Sequence, residues 1–147
     1  MINPCYIAGL IDGEGYLGLL PSKANGLVNK SFEPVIKIGM TGDESRRLFE
    51  RLRATYGGTI DRRSKLTKGN RTAYTYVLKS RVKVTRLLED IVDDLIIKQD
   101  QALLLLEFCD LPITHSRHAS FDPKVLALKL EIFDELKRLK QPPATTE

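Results

Sequence analysis

The sequence predicts an α+β fold, one antiparallel sheet with helices packed on one face. Three observations predict it. Capping residues and apolar spacing place elements in the order α-β-β-α-β-β-α, with further helix after them. The strand segments alternate apolar and polar residues, so the sheet has one face to bury. A chain of 147 residues that is 42% hydrophobic can bury one sizeable core, so residues 1–147 are expected to form a single domain.

Asn3 is a good N-cap and Pro4 suits the first helical position, so a helix is expected over residues 3–13, stopping at Gly13. Tyr16–Ser22 reads as a strand and Lys23–Lys30 as a polar loop. Phe32–Thr41 is a second strand, with Ile36, Ile38 and Met40 on one face and Val35, Lys37 and Gly39 on the other. Asp43 is expected to cap a helix that runs to about Tyr56, turns Leu48, Phe49 and Leu52 inward, and stops at Gly57-Gly58. Thr59–Arg63 and Arg71–Lys79 form a hairpin around the loop Ser64–Asn70; in its second arm Tyr74, Tyr76 and Leu78 alternate with Ala73, Thr75 and Val77. Ser80 caps a helix expected to reach about Ile97, and another spans Gln99–Cys109 with Leu103–Leu106 inside. After an irregular stretch, Asp122-Pro123 opens a C-terminal helical extension over about 122–140, and 141–147 should fray.

Charge is strongly segregated. Residues 46–86 hold 13 Lys/Arg against two acids, while the segments on either side are net acidic. A polyanion is the natural partner of such a segment. Lys37, Asp61, Arg63, Arg71 and Thr75 fall on the sheet face that the helices leave open, a face suited to duplex DNA. No Phe or Trp is spaced along it, which argues against single-strand stacking. No apolar run spans a bilayer, no secretory leader is visible, and no membrane partner is expected. Two cysteines, Cys5 and Cys109, make no disulfide framework and read as buried free thiols of an intracellular protein. His115 and His118 have metal-like spacing but no acid or cysteine cluster near them. Gly13-Glu14-Gly15-Tyr16-Leu17-Gly18 fits a dinucleotide fingerprint only as letters, since a helix precedes it and a strand follows.

The first helix carries the sharpest signal. It ends in two carboxylates, Asp12 and Glu14, with no cation in the helix. An acid in the last turn opposes the helix dipole by some tenths of a kcal/mol. A divalent metal would compensate, since Mg²⁺ is commonly held by one or two carboxylates plus phosphate oxygens. One helix face is bulky (Tyr6, Ile7, Leu10, Ile11) and another is small (Cys5, Ala8, Gly9, Asp12). The small face would let another helix approach closely. On residues alone, an ordinary core helix with a polar end explains the segment as well.

Ile7-Ala8-Gly9-Leu10-Ile11-Asp12-Gly13-Glu14-Gly15 resembles the signature of the LAGLIDADG homing endonucleases, and with one copy of the motif the chain resembles a single-motif member. The likeness covers roughly residues 3–111. It implies the αββαββα saddle, with DNA on the open sheet face, and a homodimer joined through Cys5, Ala8, Gly9 and Asp12. Glu14 matches the metal-binding acid and Gly13 the residue whose carbonyl helps bind metal. Asp12 matches the motif's other acid, structural more often than catalytic. Lys98 matches an active-site lysine, although alone it reads as a surface residue. Arg46 matches a basic residue at the start of the second helix. Gly42 stands where relatives can carry a polar, water-organising side chain.

Alternation and strand matching extend the DNA-contacting set to Ser22, Val35, Lys37, Gly39, Asp61, Arg63, Arg71, Ala73, Thr75 and Val77. Arg62 and Lys65 are expected to touch phosphates or solvent. The implied activity is Mg²⁺-dependent hydrolysis of both strands at a long, near-palindromic site, with Mn²⁺ as a substitute ion. Intron RNA binding, as in maturases, and catalytically inactive DNA binding are the alternatives. Four Asn and three Gln are few, and Arg nearly equals Lys, which favours a prokaryotic or archaeal cytoplasm over an organelle.

Overall fold

A computed structural model describes residues 2–21, 32–63, 71–112 and 122–141. Helix α1 (Pro4–Glu14) is capped as expected, the Asn3 side-chain oxygen accepting the Cys5 N–H at 2.8 Å. It runs through Gly13, the expected stop, and ends one residue later. Gly15 sets that end. A Cβ there would lie 2.8 Å from the Cα and the carbonyl oxygen of Ile11. Without a side chain, the backbone leaves the helix this tightly and enters β1 (Gly15–Pro21) with no intervening loop. Glu14 is therefore the last helical residue, at the rim between helix and sheet.

Strand β2 (Phe32–Thr41) pairs antiparallel with β1. Gly42, at φ +94°, then turns the chain into α2 (Asp43–Tyr56). That conformation favours glycine. Gly42 is thus the N-cap in place of Asp43, which lies with Glu44 in the first helical turn, where acids suit the dipole. Strands β3 (Thr59–Arg62) and β4 (Ala73–Lys79) complete an antiparallel sheet of order β1-β2-β4-β3. Ser80 caps α3 (Arg81–Ile91) by accepting the Lys83 N–H.

Helix α3 stops six residues short of the expected Ile97. A 3-10 turn (Val92–Asp94) and an irregular stretch precede α4 (Gln99–Asp110). Asp93 and Asp94 would oppose the dipole at a helix C-terminus, and the next backbone N–H groups are claimed from outside the helix. Helix α5 (Pro123–Lys140) follows its Asp122 cap as expected and packs on α4 and β1.

The core lies between the helices and one sheet face. Leu17, Leu19, Ile36, Ile38, Tyr76 and Leu78 meet Ile7, Ile11, Phe49, Leu52, Leu87 and Leu105 there. Within the expected Leu103–Leu106 core run, Leu105 is buried but Leu103 is exposed, because four successive helical residues point around the whole circumference. Cys5, expected inside, is exposed, and Cys109 is half-buried. No helix among the described residues is long and apolar enough to cross a membrane. Ser22, Lys65, His115, His118, the loop interiors and residues 142–147 lie outside the described residues.

The helix-to-strand junction predicts the effect of Gly15→Ala. It should destabilise the fold by about 1–3 kcal/mol, as overpacking against fixed backbone does. Urea unfolding reads this as a lower midpoint with an unchanged slope. An unchanged midpoint would show that the close approach to Ile11 does not limit the fold.

Candidate functional site

Two long-range contacts assemble the end of α1. The Asp12 carboxylate accepts the backbone N–H groups of Ile96 (2.8 Å), Ile97 (3.1 Å) and Lys98 (2.9 Å). In return, the Lys98 ammonium donates to the carbonyls of Ile11 (2.9 Å) and Asp12 (3.0 Å). Asp12 is thus a positioning residue. Its oxygens hold the segment that carries Lys98, a role in the fold rather than the expected catalytic one. Burial alone would raise its pKa, but the three backbone donors outweigh that and hold it below the usual carboxylate range.

Glu14 is exposed and has no ion pair or hydrogen bond among the described residues. Lys98 uses two of its three donors on α1, which leaves one for a ligand. Among the described residues no three His, Cys, Asp or Glu side chains cluster as a metal cage. One chain therefore offers a single open carboxylate at this point, with the Gly13 carbonyl beside it in sequence. That donor set fits a hard cation that takes its remaining ligands from water, phosphate or another chain.

The open sheet face begins beside this centre. Strand register arranges the expected contact residues in cross-strand rows. Tyr16, Lys37, Val77 and Thr59 form one row, and Gly39, Thr75 and Asp61 the next. Ala73 pairs with Thr41 and its carbonyl accepts the Arg63 N–H at 2.9 Å, which extends the surface past β3. A groove of about 370 Å³, lined by Lys37, Lys79, Lys83 and Asp61 among others, runs along this face. Arg71 lies away from this groove, before the start of β4 and 3.5 Å from Glu44. The pair fills the place of a side chain at Gly42, since a Cβ there would lie 2.8 Å from both groups.

Several expected positions are corrected. Val35 is on the open face but fully buried, and Tyr16 lies flat across its β1 partner Gly18, so Val35 cannot touch a ligand. Ala8 is fully buried in the chain's own core, so the small face of α1 narrows to Cys5, Gly9 and Gly13. Arg46 is not brought to Glu14. Ser45 faces inward and bonds to the Thr41 carbonyl, so the next residue swings away, and Arg46 pairs with Glu50 at 3.3 Å. It lines a cleft on the helical side with Arg53, Arg62 and Tyr74. The basic segment is therefore shared between both sides of the sheet.

The residue pattern gave no signal for Ile96 and Ile97, which are 87% and 72% exposed beside Asp12. Their backbone is spent on Asp12, and their apolar side chains face solvent. A turn at 95–98, visible only once α3 is known to stop, would have been needed to find them.

The architecture is one found in known structures: the chain folds as the LAGLIDADG homing endonucleases do. The homing endonuclease I-CvuI, solved with the I-CreI target in the presence of Mg, superposes with a TM-score of 0.75 at 18% identity over 97% of this chain and 85% of that one. Archaeal intron-encoded I-Vdi141I, complexed with DNA, gives 0.72 at 21% over 98% and 87%. The LAGLIDADG meganuclease I-CpaMI, bound to uncleaved DNA, gives 0.62 at 19% identity, with this chain spanning 53% of its length. No protein-family model and no curated protein matches the sequence.

The Asp12 clamp has a pH signature. A carboxylate with a lowered folded-state pKa stabilises the fold above its unfolded value of about 3.9, and the contribution is lost as pH falls through the folded value. Asp12→Asn should lower stability at pH 7 by about 1–3 kcal/mol, because one N–H loses its acceptor. The gap to wild type should close as pH drops below about 4. A pH-independent gap in thermal melts would contradict the charged clamp.

Proposed function

We propose that the protein is a site-specific double-strand DNA endonuclease that acts as a homodimer with Mg²⁺. The observation that carries this reading is the open Glu14 carboxylate, two residues past the Asp12 carbonyl that anchors Lys98, at the head of a polar, basic sheet face. Glu14 and the Gly13 carbonyl would hold the metal. The ion, when bound, activates water and stabilises charge on the phosphate oxygens. Lys98, fixed by α1, aims its remaining N–H at the developing negative charge. The rows through Lys37, Gly39, Thr75, Asp61, Ala73, Val77 and Arg63 would read a major groove, Arg63 pairing with guanine.

Dimerisation is supported by surface chemistry and by size. A Cβ at Gly9 or Gly13 would meet nothing within 4 Å, so the chain's own packing does not require glycine there. Glycine inside a helix costs about 1 kcal/mol against alanine. A second helix pressed close to this face would account for that cost, and Ile96 and Ile97 would be covered beside it. The chain aligns with 53% of the length of I-CpaMI, which leaves room there for a second unit of this size. A two-fold dimer implies a near-palindromic site.

One observation favours a second reading. Arg46, Arg53 and Arg62 converge on the helical side, away from the open face. That surface suits RNA backbone, as a maturase would use.

The first test is cleavage of a randomised duplex library with Mg²⁺ or with EDTA, followed by sequencing of the cut ends. Mg²⁺-dependent cuts at one long, nearly palindromic site are expected. Glu14→Gln should abolish them and spare binding; full activity in that variant would refute the assignment. Site-selective binding without cutting would indicate an inactive DNA-binding protein, and RNA retention without duplex selection would indicate the second reading. On the recovered site, Arg63→Ala should relax preference at one symmetric pair of positions while leaving the others unchanged.

A further inference from the structure

Helix α5 ends in a basic turn of three cations, each with a different fate. Lys137 lies over its own helix's Phe133 ring, 4.6 Å from the centroid. Arg138 pairs with Glu135. The Lys140 side chain reaches off its own helix. Its ammonium stands 3.9 Å from the centroid of the Tyr16 ring, two residues beyond Glu14. Tyr16 belongs to the open sheet face: it pairs with Lys37 and lies flat over Gly18. A Cβ on Gly18 would come within 2.6–2.8 Å of the tyrosine ring and hydroxyl, so the glycine is what lets the ring lie down as a platform. The last turn of α5 thus delivers a cation to the edge of the open face, on the side where α1 ends.

We propose that Lys140, seated on the Tyr16 platform, is a phosphate-gripping residue that holds the nucleic-acid backbone beside the Glu14–Lys98 centre. The proposal rests on the DNA reading above and adds a positioning residue to it. Local charge supports it. Lys140 has no carboxylate partner among the described residues. Burial and the nearby Lys98 charge push its pKa down to about 8. Neither the Lys98 nor the Lys140 ammonium has an ion-paired anion among the described residues, because Asp12 spends both of its oxygens on backbone N–H groups. A backbone phosphate supplies one to both, and the aromatic ring holds the Lys140 cation in place without neutralising it.

The test is duplex binding in Ca²⁺ without Mg²⁺, to separate grip from cleavage, using the site recovered from the randomised library. Affinity is measured from 50 to 300 mM salt for wild type, Lys140→Met and Lys140→Arg. Lys140→Met should make the plot of log affinity against log salt shallower by about 1 for each chain in the complex. Lys140→Arg should restore it, and thermal melts of both variants should match wild type. An unchanged slope in a folded Lys140→Met protein overturns the proposal alone. Where Lys140→Met melts lower, Tyr16→Phe and Tyr16→Leu settle the point: the proposal requires the first to keep the wild-type slope and the second to lose it. Failure of wild type to bind any duplex overturns the DNA reading and this grip together.

Discussion

The Asp12 carboxylate is the contact on which the rest of the site depends. It takes three backbone N–H groups from a segment 84 to 86 residues away in sequence. Hydrogen bonds to a charged acceptor contribute about 1.5–3 kcal/mol each, more than neutral ones. They also replace the intrahelical bonds that would have carried α3 onward to Ile97. The premature stop of α3, the turn at 95–98 and the start of α4 follow from that exchange. So does the seat of Lys98, whose ammonium returns to the carbonyls at the end of α1.

An acid against the negative end of a helix looks, in the sequence, like a liability awaiting a metal. The structure divides that liability in two. At Asp12 it is offset within the chain by peptide dipoles and by Lys98. At Glu14, two residues on, nothing within the described residues offsets it. The two carboxylates of one short motif therefore have opposite natures. The first is consumed by the fold and the second is left open by it. Gly15 is the reason they differ in exposure, because the immediate turn into β1 leaves Glu14 on the rim while Asp12 still faces α4.

What was legible in the sequence was what local physics decides. Caps at Asn3, Ser80 and Asp122, the alternation in β2 and β4, and the glycine stops near α2 are set by nearest neighbours, and those elements stand where expected. What was misread was decided by partners distant in sequence. Gly13 continues the helix because Gly15, not Gly13, carries the steric exit. Ala8 shares a helical face with Cys5 and Gly9 by spacing, yet it is packed in the core while they are exposed. Val35 alternates correctly and is still sealed, because Tyr16 is free to lie over Gly18. Lys140 was invisible as a site residue for the same reason. Its platform lies near the other end of the chain, and a lysine closing a C-terminal helix is otherwise unremarkable.

The basic middle segment shows how far charge alone can carry a functional argument. Its arginines and lysines are divided by strand alternation and helix rotation. Arg63, Arg71 and Lys79 lie toward the open face, whereas Arg46, Arg53 and Arg62 line the helical side. A polyanion would be drawn to either surface over a Debye length of about 10 Å at moderate salt, so net charge does not choose between them. Chemistry does. The helical cleft holds Arg46 already paired with Glu50, and no open acid stands in it beside an anchored lysine. The open face is the surface that combines cross-strand donors and acceptors with a carboxylate able to take a cation. Cations that attract a phosphate backbone cannot by themselves break it. The proposed cleavage is assigned to this side because Glu14 is there.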